Sequence, residues 1–266
     1  MRPEAHLTTS AYFTRARPGA TGWLLQSLLV VMLLGVGGLA AFVARRGDAG
    51  LVRVLATDAS GARVAGASYP LYLEYRARAT TFSALAAYFD SLAVVIEPDS
   101  GAEEVTGALV SGNYFEVLGA RAALGRAIER EDEERGARVV VLSDRVWQRT
   151  LLGDSAVIGR TLRLNGRAFT VVGVMPPQFR DTGTGPGLWV PISAVGDVSA
   201  TAAELEPLRR RGLWWLSMVG RLAPDASMDE ARVQLETIAS RLDAGNGLDT
   251  RPRVVPLDPP SGGTAH

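Results

Sequence analysis

The chain has 266 residues, 47% hydrophobic and 21% charged, which is too apolar for disorder and long enough for one large domain or two modest ones. Its 28 basic residues, all arginine, balance 28 acidic ones, so no electrostatic case for nucleic acid arises. Cysteine is absent and the two histidines, His6 and His266, stand near the termini, so a folded core has no disulfide, thiolate nucleophile, His-rich metal site or Ser-His-Asp triad.

The first predicted element is apolar. After an N-terminal segment 1–21, residues 22–44 carry no charge, and only Gln26 and Ser27 are strongly polar. A hydrocarbon core about 30 Å thick needs roughly 20 apolar helical residues, so this stretch is long enough to span. Trp23 stands where an interfacial aromatic would, and Gly35, Gly37 and Gly38 are tolerated in lipid. A cleaved signal peptide is the rival; the length of the run favours a retained anchor. Arginines flank both sides (Arg15 and Arg17 before, Arg45, Arg46 and Arg53 after), so charge alone leaves the orientation open.

Residues 45–67, rich in Gly, Ala and Arg, read as a linker with one short strand at most. In 69–89, Leu71, Tyr75, Phe82, Leu85 and Phe89 recur at helical spacing behind Pro70, which predicts one amphipathic helix. Strands are predicted at 91–97 and 103–111 around the turn "PDSGA", then a short helix in 113–119 with Asn113 as N-cap and Gly119 just past its end. The apolar run 137–143 predicts a buried strand, followed by a helix in 143–154 capped by Ser143 and stopped by Gly153. Asn165-Gly166 predicts a hairpin within 160–176, and strands are expected at 188–192 and 213–222. The clearest soluble helix is 227–242, with a Ser227/Glu230 capping box and an apolar stripe of Ala231, Leu235, Ile238 and Leu242. A strand at 251–257 and a Pro/Gly-rich tail, 258–266, close the chain. The pattern predicts an α+β fold of βαβ-like units and hairpins.

Candidate chemistry is sparse. Gly159, Gly166 and Gly173 are too widely spaced for a phosphate loop, and no lysine completes one. Gly173, inside a β-rich run, suggests a bulge or a close backbone approach. The acidic stretch 129–135 lacks the spaced oxygens of a calcium loop and reads as a solvated loop. Trp214 and Trp215 suggest a strand with one indole in the core. Carboxylate pairs of the glycosidase type stay open as a possibility, with nothing local to single one out. No residue is assigned a catalytic, cofactor-binding or metal-binding role, and no cofactor is expected.

Taken together, "VTGALVSGNYFEVLGARAALGRAIEREDE" (105–133), "VVVLSDRVWQRTLLGDSAVIGRTLRLNGRAFTVVGVMPPQF" (139–179), "LWVPI" and "VGRLAPDASMDEARVQLETIASRL" (219–242) resemble the MacB-like periplasmic core domain of FtsX/MacB-type ABC-transporter permeases, particularly the bacterial group with duplicated permease modules. Asp225 stands where that pattern has glycine. The resemblance covers 68–257 and implies a porter-like part with a smaller inserted β-rich part. It also implies a single-pass inner-membrane chain, extracytoplasmic after about residue 45 and with its N-terminus in the cytoplasm.

Its implied role is non-enzymatic: transmitting change driven by a separate cytoplasmic ABC ATPase, and contacting other permease subunits, a periplasmic adaptor or substrate. Three further membrane helices normally follow such a domain, and none follows here, so the chain is read as a fragment, a truncated permease subunit or a single-span relative. The alternatives by chemistry alone are a membrane-tethered or secreted carboxylate-dependent hydrolase and a single-span assembly scaffold.

Overall fold

A computed structural model describes residues 50–57, 63–64, 66–98, 101–182, 185–198, 215–242 and 251–257. The apolar run 22–44, the segment before it and the tail 258–266 lie outside the described residues. Among those described, no helix is long and apolar enough to cross a membrane.

Among the described residues, eleven strands join in one mixed sheet, ordered β11-β1-β10-β3-β4-β9-β6-β8-β5, with β2 paired to β1 and β7 to β3 and β8. They are β1 (Leu51–Thr57), β2 (Arg63–Val64), β3 (Phe82–Glu97), β4 (Glu103–Val110), β5 (Leu124–Gly125), β6 (Val139–Leu142), β7 (Thr161–Leu164), β8 (Arg167–Val174), β9 (Leu188–Pro191), β10 (Ser217–Leu222) and β11 (Arg251–Pro256). The helices are α1 (Tyr69–Arg78), α2 (Tyr114–Leu118), α3 (Arg130–Glu134), α4 (Asp144–Leu151), α5 (Val195–Val198) and α6 (Met228–Leu242). The β6–α4–β7–β8 stretch is a βαβ-like unit, with β6 and β8 parallel. The fold is thus a mixed arrangement of strands and helices, as the apolar patterns suggested.

The stretch 69–89 is not one helix. It forms α1 as far as Arg78, turns at Ala79 in extended geometry, and enters the 16-residue strand β3. The helical spacing of Phe82, Leu85 and Phe89 arises because this half of β3 is covered on both faces. Leu85 and Ala87 pack in one core, Ala86 and Tyr88 in the other, so the run is apolar without alternation. Beyond a register shift between Phe89 and Leu92, only Leu92, Val94 and Ile96 stay buried, and the two-residue period reappears.

Within the stretch read as a linker, residues 51–57 form β1, hydrogen-bonded to β10 on one side and β11 on the other. Val52, Val54 and Ala56 alternate inward and are almost wholly buried, a period that the Ala/Gly/Arg composition disguised.

Other expectations meet their geometry closely. Ser143 accepts the Val146 amide, and α4 ends in two left-handed residues, Leu152 and Gly153. Asn165 and Gly166 both have positive φ, 48° and 77°, as a type I′ hairpin turn requires. The Asn165 side chain does more than turn the chain: its Oδ1 accepts the Val95 amide at 2.8 Å, and its Nδ2 donates to the Val198 carbonyl at 2.6 Å. Gly173 shows both features its position suggested. The β6–β8 register slips between Val140 and Val141, and a Cβ on Gly173 would sit 2.0 Å from the Arg126 carbonyl oxygen.

At α6 the capping box forms, with Ser227 Oγ accepting the Glu230 amide while the Glu230 carboxylate accepts the Ser227 amide at 2.8 Å. Ala231, Leu235, Ile238 and Ala239 are buried against α1 and the sheet. Strand β10 is shorter than predicted; residues 211–214, Trp214 among them, lie outside the described set. Trp215 is half-buried and packs edge-on to Phe89 at 5.8 Å.

Candidate functional site

Among the described residues no three His, Cys, Asp or Glu side chains gather as a metal site would. What polar chemistry is buried instead joins one element to another, and it concentrates at two places on β3.

The first is the segment Ser111-Gly112-Asn113 between β4 and α2. Asn113 does not cap α2 through its side chain, correcting the sequence expectation. Its Nδ2 donates to the Leu85 carbonyl at 2.9 Å, while its Oδ1 accepts from the Ser111 hydroxyl at 2.9 Å and from Tyr72 at 3.4 Å. The competing demand is the buried Leu85 carbonyl of β3, which takes the Asn113 amide and is also reached by the Tyr72 hydroxyl at 3.5 Å. Ser111 Oγ in turn accepts the Ala87 amide at 3.0 Å. Burial pushes the Tyr72 phenol upward in pKa, so it stays a proton donor.

Glu133 closes this junction from α3. Its two oxygens accept from the Tyr69 hydroxyl at 3.0 Å and the Gly112 amide at 2.8 Å, and Arg76 stands 3.7 Å away. Burial, with the Glu133 charge beside it, raises the Tyr69 pKa strongly, so this phenol also remains protonated. The acidic run 129–135 is solvated over most of its length, as expected, but it is not a loop and two of its carboxylates turn inward. It folds as α3, whose Asp132 is buried in a two-pronged pair with Arg126 at 2.6 and 2.9 Å and also accepts the Glu129 amide. Burial resists the Asp132 charge, but the Arg126 hydrogen bonds and the Glu129 amide outweigh it and hold the carboxyl below its ordinary range. Sequence reading missed Asp132 and Glu133 because surface and buried carboxylates share one composition. The capping geometry of Glu129 and Asp132, three residues apart, was the signal available.

The second place lies on the opposite face of the sheet. Tyr88, Tyr114, Phe115, Phe179 and Trp189 stack in tilted and edge-on pairs 5.4–5.8 Å apart. The Tyr114 hydroxyl hydrogen-bonds the Thr182 hydroxyl at 3.0 Å, and Arg53 of β1 donates to the Thr182 carbonyl. Arg221, from the "GRL" stretch of β10, donates to the Val117 carbonyl at 2.8 Å and so ties that strand to the end of α2. Two of the stretches that carry the family resemblance, 105–133 and 219–242, are thus joined by the Arg221 side chain.

The sequence profile of the MacB-like periplasmic core domain matches residues 26–238. Curated relatives include the macrolide export ATP-binding/permease protein MacB of Neisseria gonorrhoeae and of Neisseria meningitidis serogroup B, each 33% identical over 88 residues. The alignment takes in 32% of this chain and only 14% of the length of those relatives.

Among solved structures, a domain of a putative permease from Porphyromonas gingivalis superposes with a TM-score of 0.61 at 18% identity, covering 80% of this chain and 94% of that one. The periplasmic region of MacB from Actinobacillus actinomycetemcomitans gives 0.58 at 16% identity, over 80% and 92%. The extracellular domain of the ABC-type transporter YknZ from Gram-positive bacteria gives 0.56 at 12%, over 77% and 99%. These likenesses concern the fold. With a profile match across most of its length and this shared architecture, the chain belongs to the MacB-like periplasmic core domain family of ABC-transporter permeases.

Proposed function

We propose that this chain is a non-enzymatic extracytoplasmic part of a permease, anchored by one helix over residues 22–44 and relaying ATPase-driven conformational change to partners or substrate outside the membrane. On this reading β1, β10, β11, α1 and α6 form the porter-like part, and the segments from β4 to β9 form the inserted β-rich part.

The observation that carries the reading is the pairing of β1 with β11. Six residue pairs, from Val52–Pro256 to Thr57–Arg251, hold the strands antiparallel, and the Leu257 amide donates to the Leu51 carbonyl at 3.1 Å. The segment following the apolar run therefore lies beside the last described strand, at one place on the sheet. A domain linked to the membrane there moves as a body when its anchor moves. The buried joints at Asn113, Glu133 and Arg221 then carry that displacement from strand to helix with little slack. A partner biases such a body by binding one of its arrangements more tightly than another.

The absence of cysteine makes the test simple. Leu152, 88% exposed at the end of α4, is replaced by cysteine and probed with a membrane-impermeant maleimide. Labelling in intact cells, together with an ABC ATPase retained when the tagged chain is purified from membranes, is the expected result. Labelling that appears only after the membrane is permeabilised overturns the extracytoplasmic placement. Purification without any ATPase overturns the relay.

A further inference from the structure

On the aromatic side of the sheet, a cleft of about 420 Å³ opens between the start of α4 and the segment after β8. Its volume falls within the roughly 300–1,000 Å³ of small-molecule sites. Met175, Pro186 and Trp189 are buried and form its floor, and half-buried Phe179 forms a wall. The Trp189 and Phe179 rings stand edge-on at 5.5 Å, so the apolar surface is rigid before anything binds. The Trp189 indole N–H, deep in this floor, has no acceptor among the described residues.

The mouth of the cleft carries charge of uneven availability. Arg145 and Arg180 are both exposed there, and neither has a carboxylate partner among the described residues. Arg180 donates only to the Pro177 and Phe179 carbonyls, and Arg145 reaches the Gly185 carbonyl at 3.5 Å. Two carboxylates share the lining, and neither cancels these guanidinium groups directly. Asp144 sits in the first turn of α4, where the helix amides offset its charge, and Asp181 already has an interaction of its own.

We infer that this cleft binds a small amphiphilic anion: an aromatic or compact apolar body against Trp189 and Phe179, with a carboxylate or like acid group held by Arg145 and Arg180. The planar guanidinium groups suit such an acid because each presents two parallel N–H donors to its two oxygens. The apolar body gains by displacing water from a floor whose side chains are apolar apart from the Trp189 indole N–H. The site does not depend on the relay reading; it stands on the lining of the cleft alone.

The probes are 2-naphthoate and its neutral counterpart 2-naphthalenemethanol, titrated calorimetrically into the full chain in zwitterionic lipid nanodiscs, with empty nanodiscs subtracted. Saturable binding of naphthoate at one site per chain is expected, with the alcohol about tenfold weaker. Arg180→Gln and Arg145→Gln should each weaken naphthoate about fivefold or more, whereas Arg163→Gln, on β7 and outside the cleft, should leave it unchanged. Unaltered melting of the three variants shows that the fold is intact, since all three side chains are exposed. The proposal is overturned by absence of saturable binding, by equal affinity for acid and alcohol, or by an Arg163→Gln effect as large as that of the cleft arginines.

Discussion

At the scale of single residues, the three glycines spaced seven apart illustrate how one letter serves different constraints. Gly166 turns a hairpin, whereas Gly173 lies where the backbone of the Arg126 segment passes so closely that a methyl group would overlap a carbonyl. Gly173→Ala is expected to cost about 3 kcal/mol or more, because the obstacle is backbone and the sheet must shift to relieve it. Thermal unfolding of the purified chain would show this, and a melting temperature equal to that of the parent would refute the close approach.

Asp132 offers a test by pH. Its carboxyl is more acidic in the folded chain than in the unfolded one. It therefore contributes stability that is present above the ordinary carboxyl range, near pH 4, and lost as pH falls through the depressed value. Asp132→Asn should lower the melting temperature at neutral pH and flatten the acid limb of its pH profile. Parallel profiles for the two proteins would remove Asp132 from that role. Asp132, Glu133 and Asn113 were hard to read from sequence because each uses its side chain on a partner at a tertiary distance or on a local amide hidden in a charged run.

At the scale of elements, legibility depended on how each face is covered. Helix α6 was plain in the sequence because one stripe is buried and the rest is wet, so its period of 3.6 is undiluted. Its capping box is local and therefore equally plain. Ser227→Ala removes the acceptor of the Glu230 amide and should cost about 1 kcal/mol, read as a lower melting temperature with an unchanged far-ultraviolet spectrum. A loss below a few tenths would mean that the cap adds nothing to a helix already held by packing.

Strand β3 was misread for the opposite reason. Its first half is buried on both faces, which erases the two-residue period, and the apolar positions left over can be fitted to a helix. Strand β1 was read as no more than one short strand in a linker, because its inward residues Val52, Val54 and Ala56 are small side chains in a segment whose overall composition resembles a linker.

At the scale of the whole molecule, the sheet is closed at one end by β11, which contributes six paired residues to β1. A chain ending at residue 250 would leave β1 as an uncovered edge with its hydrogen-bonding groups open to other chains. It should melt at a lower temperature and aggregate on concentration, as measured by light scattering. A truncated chain as stable and as monodisperse as the parent would show that β11 is dispensable, and with it the paired-strand basis of the relay. The family match reaches from residue 26 to 238, so it ends before β11; the strand at 251–257 was legible in the sequence, but its pairing with β1 is seen only once the chain is folded.

The sequence by itself determined the apolar N-terminal run, the absence of histidine and cysteine chemistry, the Asn165-Gly166 turn, the α6 helix and the family. The apolar run, the turn and α6 are each encoded within some twenty neighbouring residues, the missing chemistry in the composition, and the family in a fixed order of short stretches. Only the tertiary structure decided that β1 and β11 meet, that β3 is one long strand shared by two cores, and that Asp132 and Glu133 are structural. It alone assembled the Trp189 cleft. These features bring together residues as many as two hundred positions apart, and burial, which separates a bound carboxylate from a solvated one, is a property of the packed chain.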